Sequence, residues 1–268
     1  MSKSEIILTD GAMGTMLLPH IAPGTCLEGL NIGRPGLVEE IHRSYVDAGA
    51  EALLANTFGG NRPRLARHRL QRRLEAVNRA GLHIAKSAAG KRPVYASVGP
   101  LGPAAKKMAF SEMRNLFREQ ALALKKEKPH GYVVETMTSL TEAEAAVAAI
   151  RGVSDGRIVV LMTKIPRSAP LSAEAAEIIS VTLKSAGADV LGANCGAVPE
   201  DSYEIIKALS AAGDGPFAVR IAGGLPGRVL SPEDFAEWGP RFAKLGCRWI
   251  GGCCGTTPAH IRALGDRL

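Results

Sequence analysis

The sequence predicts a single (β/α)8 TIM barrel with parallel strands, one domain over residues 1–268. Three observations carry that prediction. Eight short, nearly continuous apolar runs alternate with longer segments of helical period, the pattern of strands buried on both faces by crossover helices. The length of 268 residues matches the roughly 250 that such barrels use as one unit. The turn after the first run, Thr9-Asp10-Gly11-Ala12-Met13-Gly14-Thr15-Met16, lacks the G-x-G-x-x-G fingerprint of a doubly wound open sheet. No linker, repeat or low-complexity segment interrupts the alternation.

In chain order, the apolar β-branched stretch at 6–9 reads as the first strand, and Pro35 in a first-turn position opens a helix over 35–48. A second strand at 52–57 precedes a long helical segment at 63–88, again opened by proline. The strands at 94–98 and 131–135 bracket a helix over 111–126, and Thr141 followed by Glu144 has the form of a capping box for a helix over 141–150. Strands at 158–163, 189–195, 217–221 and 247–251 complete the set. Their partners are helices over 173–186, 199–211, 232–244 and 258–268, the last three opened by Pro199, Pro232 and Pro258.

A hydrophobic fraction of 46% suffices for a large core, and 22% charged residues is ordinary for a soluble globular chain. The first ten residues hold only a three-residue apolar run, and no segment approaches the 18 apolar residues of a membrane span, so no membrane association and a cytoplasmic location are expected. In a reducing compartment an odd count of five cysteines argues against a disulfide framework and for metal or catalytic roles. The net charge of +7 is densest where Arg62, Arg64, Arg67, Arg69, Arg72 and Arg73 crowd one segment. With 4% aromatics and no nucleic-acid-binding motif, that segment reads as a solvated face or a docking surface for an acidic partner, and no nucleic acid is expected as a ligand.

Active sites of such barrels form at the C-terminal strand ends, so the candidate residues can be read in order. They are Asp10 and Gly11, Asn56 and Thr57, Glu135 and Thr136, Asn194 and Cys195, and Cys253 and Cys254. Catalytic zinc takes three protein ligands and keeps a fourth position open, and Cys195, Cys253 and Cys254 would supply three thiolates. Adjacent strand residues point to opposite faces, so Cys253 and Cys254 reach one ion only if the backbone bends, for which Gly251, Gly252 and Gly255 give freedom.

Two other readings stand beside this one. The cysteine pair could be small buried hydrophobes, or Gly223-Gly224 and Gly251-Gly252 could cradle a phosphate with cysteine as nucleophile. Cys26 and Cys247 fall away from strand ends and read as packing residues. None of the six histidines falls at a strand end, which leaves Glu135 as a cavity carboxylate in need of a partner such as an ammonium group.

The motifs Asp10-Gly11-Ala12-Met13-Gly14-Thr15, Asn56-Thr57-Phe58-Gly59-Gly60-Asn61, Val134-Glu135-Thr136, Gly192-Ala193-Asn194-Cys195 and Gly251-Gly252-Cys253-Cys254-Gly255-Thr256-Thr257-Pro258 resemble the homocysteine S-methyltransferase family. The resemblance runs nearly the whole chain and is nearest to the homocysteine-binding barrel of cobalamin-dependent methionine synthase. It implies that Cys195, Cys253 and Cys254 bind Zn2+ and that Asp10 and Glu135 face the substrate amino group. It also implies that backbone amides after Asp10, at Gly11 and Ala12, hold the substrate carboxylate, with Asn56 and Asn194 in the substrate site.

The implied reaction converts homocysteine to methionine. With no folate-binding or cobalamin-binding segment in the sequence, methylcobalamin on a separate corrinoid protein is the expected methyl donor. A small donor such as S-methylmethionine, another acceptor thiol, or a zinc- and thiol-binding barrel without catalysis are the alternatives. One departure stands out: where the family often carries Pro-Asn-Ala-Gly after strand seven, this chain has Ile221-Ala222-Gly223-Gly224-Leu225-Pro226, so Ala222 replaces an asparagine near the donor face.

Overall fold

Parallel strands need cover on both faces, and the chain meets that need by sending a helix back after every strand. The computed structural model describes residues 6–163, 171–225 and 228–268. Its barrel strands are β1 Ile7–Leu8, β2 Leu53–Leu54, β3 Val94–Val98, β4 Gly131–Met137, β5 Arg157–Met162, β6 Val190–Cys195, β7 Phe217–Ile221 and β8 Cys247–Gly252. All pair in parallel in the order β1-β8-β7-β6-β5-β4-β3-β2. A parallel bridge between Thr9 and Ala52, with the Glu51 and Ala52 amides on the Leu8 carbonyl and the Asp10 amide on Ala52, joins β1 to β2 and closes the ring.

The outer helices are α1 Pro35–Asp47, α2 Leu74–Ala89, α3 Phe110–Lys125, α4 Leu140–Arg151, α5 Ala173–Ala186, α6 Pro199–Ala212, α7 in two pieces at Pro232–Ala236 and Trp238–Lys244, and α8 Pro258–Arg267. The break in α7 has a covalent cause: Pro240 has no N–H to donate to the carbonyl of Ala236.

The expected helix over 63–88 also divides, into Arg62–Ala66, a 3-10 turn at Gln71–Arg73 and α2. Leu65, Leu70, Leu74 and Val77 pack together, and the five-residue step from Leu65 to Leu70 cannot stay on one helical face, so Arg69 takes φ 58° and the chain restarts. The cap of α4 lies two residues earlier than the sequence suggests: Ser139 accepts the Glu142 amide, and the Glu142 carboxylate accepts the amide of Leu101 instead of closing a capping box.

Two apolar layers result. Inside the ring, Ala52, Leu54, Tyr95, Val133, Val159, Leu161, Val190, Ala218 and Trp249 fill the lower barrel, with the Tyr95 and Trp249 rings edge to face at 4.7 Å. The larger layer lies between strands and helices. Side chains alternate along a strand, so the residue two beyond each inner core residue also faces inward, one level higher. Those positions are Asn56 after Leu54, Ser97 after Tyr95, Glu135 after Val133 and Arg220 after Ala218. A polar tier therefore sits on the apolar floor at the C-terminal end.

Candidate metal centre and acceptor cavity

The last strand stops at Gly252, and Cys253-Cys254 follow in a turn, which resolves the opposite-face problem for adjacent cysteines. The glycines act differently from expectation. Only Gly255 lies at positive φ, 82°. Gly251 and Gly252 are needed for closeness: a Cβ would fall 1.9 Å from Thr9 Oγ1 at the first and 2.4 Å from Thr256 Oγ1 at the second.

Thr256 pins the turn. Its hydroxyl donates to the Cys253 carbonyl at 2.7 Å and accepts the Ala12 amide at 3.1 Å, while the buried Tyr45 hydroxyl donates to the Ala12 and Thr256 carbonyls. From the other side the Cys253 amide reaches Ile221, and the Gly223 amide reaches Cys254. The Gly223 and Gly252 amides are thus spent on backbone carbonyls and are not free to donate to a phosphate.

Cys195 ends β6 at φ 62°, a conformation unusual for a residue with a Cβ. By alternation with Asn194 it would face the helices; the left-handed backbone turns it toward the cysteine pair, and Ser202 Oγ donates to its carbonyl. The three Sγ atoms lie within 4.8 Å of one another, with Cys195 and Cys254 3.7 Å apart. A tetrahedral ion about 2.3 Å from each sulfur separates its ligands by about 3.8 Å, so the spacing and the all-thiol donor set fit zinc.

The triad is graded in exposure: Cys195 and Cys253 are half-buried and Cys254 is exposed. Hydrogen bonds from Cys195 and Cys253 pull the Cys254 thiol down to about 3, and the same contacts push the Cys195 thiol up. Cys26 and Cys247 take no part: Cys247 is fully buried with its thiol pushed up to about 12 by burial, and Cys26 packs beside Leu70 with a weak contact to Glu28.

Asn194 joins the sulfurs to the polar tier. Its Nδ2 contacts Cys253 Sγ at 3.7 Å and donates to Glu135 Oε2 and Thr136 Oγ1, while its Oδ1 accepts the Thr136 amide. Thr136 is held at φ 61°, the second strained non-glycine residue at this rim. Ser97 Oγ donates to the other Glu135 oxygen. Glu135 is buried, and that burial pushes its carboxyl up to about 7 despite the nearby Arg220.

Arg220 is the residue that the sequence reading missed. It lies on β7, 8% exposed, with Nη1 2.7 Å from Asp10 Oδ1, Nη2 donating to the Gly11 carbonyl, and Nε 3.7 Å from Glu135 Oε2. Burial opposes its charge, but Asp10, Glu135 and Cys253 more than offset that, so the guanidinium stays protonated. Burial likewise raises the Asp10 carboxyl against the pull of Arg220. A charged residue inside an otherwise apolar run, in phase with Ala218, was the available signal.

A cavity of about 250 Å3 opens beside these groups, lined among others by Gly11, Ala12, Asn56, Phe58, Glu135 and the three cysteines. The expected site residues divide accordingly. Glu135 faces the cavity. Asp10 stands behind its lining, with Oδ1 on Arg220 and Oδ2 on the Leu54 amide. Asn194 also stands behind, and Asn56 lines the wall with Nδ2 spent on Leu27 and Asn31. The Ala12 amide is taken by Thr256, whereas the following helix, Met13–Leu17, has no side-chain cap and begins at the cavity wall. Glu28, also unread in the sequence, lines the cavity with Oε1 on the Gly59 amide.

Ala222 is fully buried after β7 and brings no polar group; Pro226 of the same turn lies outside the described residues. The basic segment resolves into an Arg62–Glu119 ion pair, an Arg64 guanidinium 4.9 Å over the Phe58 ring, and exposed Arg67, Arg69, Arg72 and Arg73. Among the described residues no helix is long and apolar enough to cross a membrane.

Comparison with known proteins agrees with this architecture. The chain is 31% identical over 299 residues to methionine synthase of Mycobacterium tuberculosis, and 31% identical over 290 residues to that of Mycobacterium leprae. These alignments cover 97% and 96% of the chain but 24% of each relative, so the chain spans about a quarter of their length. Among solved structures, the metallated form of the homocysteine methyltransferase MmuM from Escherichia coli superposes with a TM-score of 0.84 at 23% identity, covering 99% of this chain and 97% of that one, a likeness of fold. The family model for homocysteine S-methyltransferase matches residues 7–268, and the chain belongs to that family.

Proposed function

We propose that this barrel is a zinc-dependent thiol S-methyltransferase that converts homocysteine to methionine. The observation that carries the reading is the Cys195, Cys253 and Cys254 triad at the wall of a small cavity in a barrel of this family. Zinc held by the three thiolates would supply a fourth position at which an acceptor thiol loses its proton and stays nucleophilic near neutral pH.

The chain's own residues do the rest. Asn194 and Ser202 hold the sulfurs in register. Glu135, oriented by Ser97 and Asn194, presents a carboxylate to the amino end of the acceptor. With the Ala12 amide taken by Thr256, the amides of Gly11 and of the uncapped first turn of Met13–Leu17 would hold the acceptor carboxylate. Arg220 neutralises Asp10, so the tier can remain buried. In the transfer, a sulfur–carbon bond forms as the donor–methyl bond breaks, its electron pair staying with the donor, and the thiol proton leaves to solvent. No general base is needed, and among the described residues no histidine lines the cavity.

The donor proposed is a methylcorrinoid carried by a separate protein; the likeness to methionine synthases over 97% of the chain supports the corrinoid. Incubating zinc-loaded protein and homocysteine with methylcobalamin, free or protein-bound, and separately with S-methylmethionine tests this. Methionine from methylcobalamin is the expected result. Methionine from S-methylmethionine alone would overturn the donor, and bound zinc and homocysteine without turnover by any donor would mark a barrel that binds without catalysing.

A further inference from the structure

The motifs call for two carboxylates facing a substrate ammonium, but the structure satisfies both before a substrate arrives. Asp10 Oδ1 is on Arg220 and Oδ2 on the Leu54 amide. Glu135 Oε1 is on Ser97 and Oε2 on Asn194, with Arg220 Nε 3.7 Å away and no hydrogen-bond acceptor of its own. Glu28, the other carboxylate in the wall beside Glu135, has Oε1 on the Gly59 amide and Oε2 near Cys26.

Steep rejection of an analogue that lacks a polar group arises when its absence leaves the site's own buried groups unpaired; such sites discriminate by about ten-thousandfold. Here an acceptor without an amino group leaves no orphan. An acceptor with one must share Glu135 with a guanidinium of the same sign as its ammonium, which weakens the attraction.

Resting on the zinc-thiol reading above, we propose that Arg220 is a specificity-determining residue that opens the acceptor site to small thiols carrying no ammonium group. Arg220 does this by taking over the charge complementarity that Asp10 and Glu135 would otherwise offer an α-amino group. The acceptor class is the mercaptocarboxylates, of which homocysteine is an amino-bearing member.

The test compares homocysteine with 4-mercaptobutanoate, which keeps the carboxylate and thiol and drops only the amino group, by calorimetric titration of the zinc-loaded protein. The expected wild-type preference for homocysteine is below about thirtyfold, and a larger preference overturns the inference. In Arg220→Met the carboxylates lose their internal counter-ion and are met by a proton or by the acceptor's ammonium, so the preference should rise by about tenfold or more; an unchanged or smaller preference overturns the role given to Arg220. Should the variant fail to fold, the wild-type ratio decides alone. Binding of neither thiol to wild type would overturn the zinc-thiol reading itself, an outcome separate from tight homocysteine binding with strong rejection of its analogue.

Discussion

Cys195 leaves its strand through a left-handed backbone at φ 62°, where the metal would lie, and Cys253 and Cys254 do so in the turn that follows Gly252. Replacing it with alanine should abolish zinc binding and turnover together, whereas Cys26→Ala should change neither by more than about twofold; metal analysis of the purified variants checks both. Asn194→Ala removes the amide that touches Cys253 and Glu135, and should weaken zinc about 10- to 100-fold in a chelator competition while leaving the fold intact.

The three cysteines and Glu135 were legible because chemistry-bearing side chains at strand ends stand out against apolar runs. Arg220 was not, because its run is a strand by composition, and its inward direction emerges only once Ala218 is known to face the barrel interior. Asp10 was legible as a site residue, but its pairing with Arg220 across the β1–β7 gap was not.

At the scale of elements, β8 lies against β1 closely enough that Gly251→Ala should cost about 1–3 kcal/mol in denaturant unfolding, because the new methyl meets Thr9. Helix α1 carries a different constraint. His42 is fully buried, neither ring nitrogen has a hydrogen-bond partner, and burial lowers it to about 4. The unfolded chain takes up this proton near pH 6.5 and the native one does so only near pH 4, so the pH-linked cost is absent above pH 6.5 and grows as pH falls through that window. Wild type should therefore lose about 2 kcal/mol between pH 7.5 and 5 relative to His42→Leu. Equal losses in the two proteins would refute the assignment.

All eight strand–helix units were legible from alternation alone. The boundaries that moved, at Arg69, Ser139 and Pro240, did so for local reasons that periodicity averages away: a five-residue step between packed leucines, a serine outcompeting a threonine for the cap, and a proline without an N–H.

Across the whole molecule, the site is a consequence of closure. β6 and β8 flank β7, so Cys195 and the Cys253-Cys254 turn meet over one strand, and Arg220 on that strand lies beneath them. A ligand that binds this arrangement and not the unfolded chain adds stability, about 4 kcal/mol at a thousandfold excess over its dissociation constant. Zinc should accordingly raise the melting temperature, and Cys195→Ala should lose most of that rise.

The central claim is that one zinc held by Cys195, Cys253 and Cys254 takes the acceptor thiol as its fourth ligand. X-ray absorption at the zinc edge tests it most directly. Zinc-loaded protein should show a shell dominated by three sulfurs at about 2.3 Å, and homocysteine should add a fourth at the same distance. A shell dominated by oxygen or nitrogen, or one that homocysteine leaves unchanged, would contradict the account.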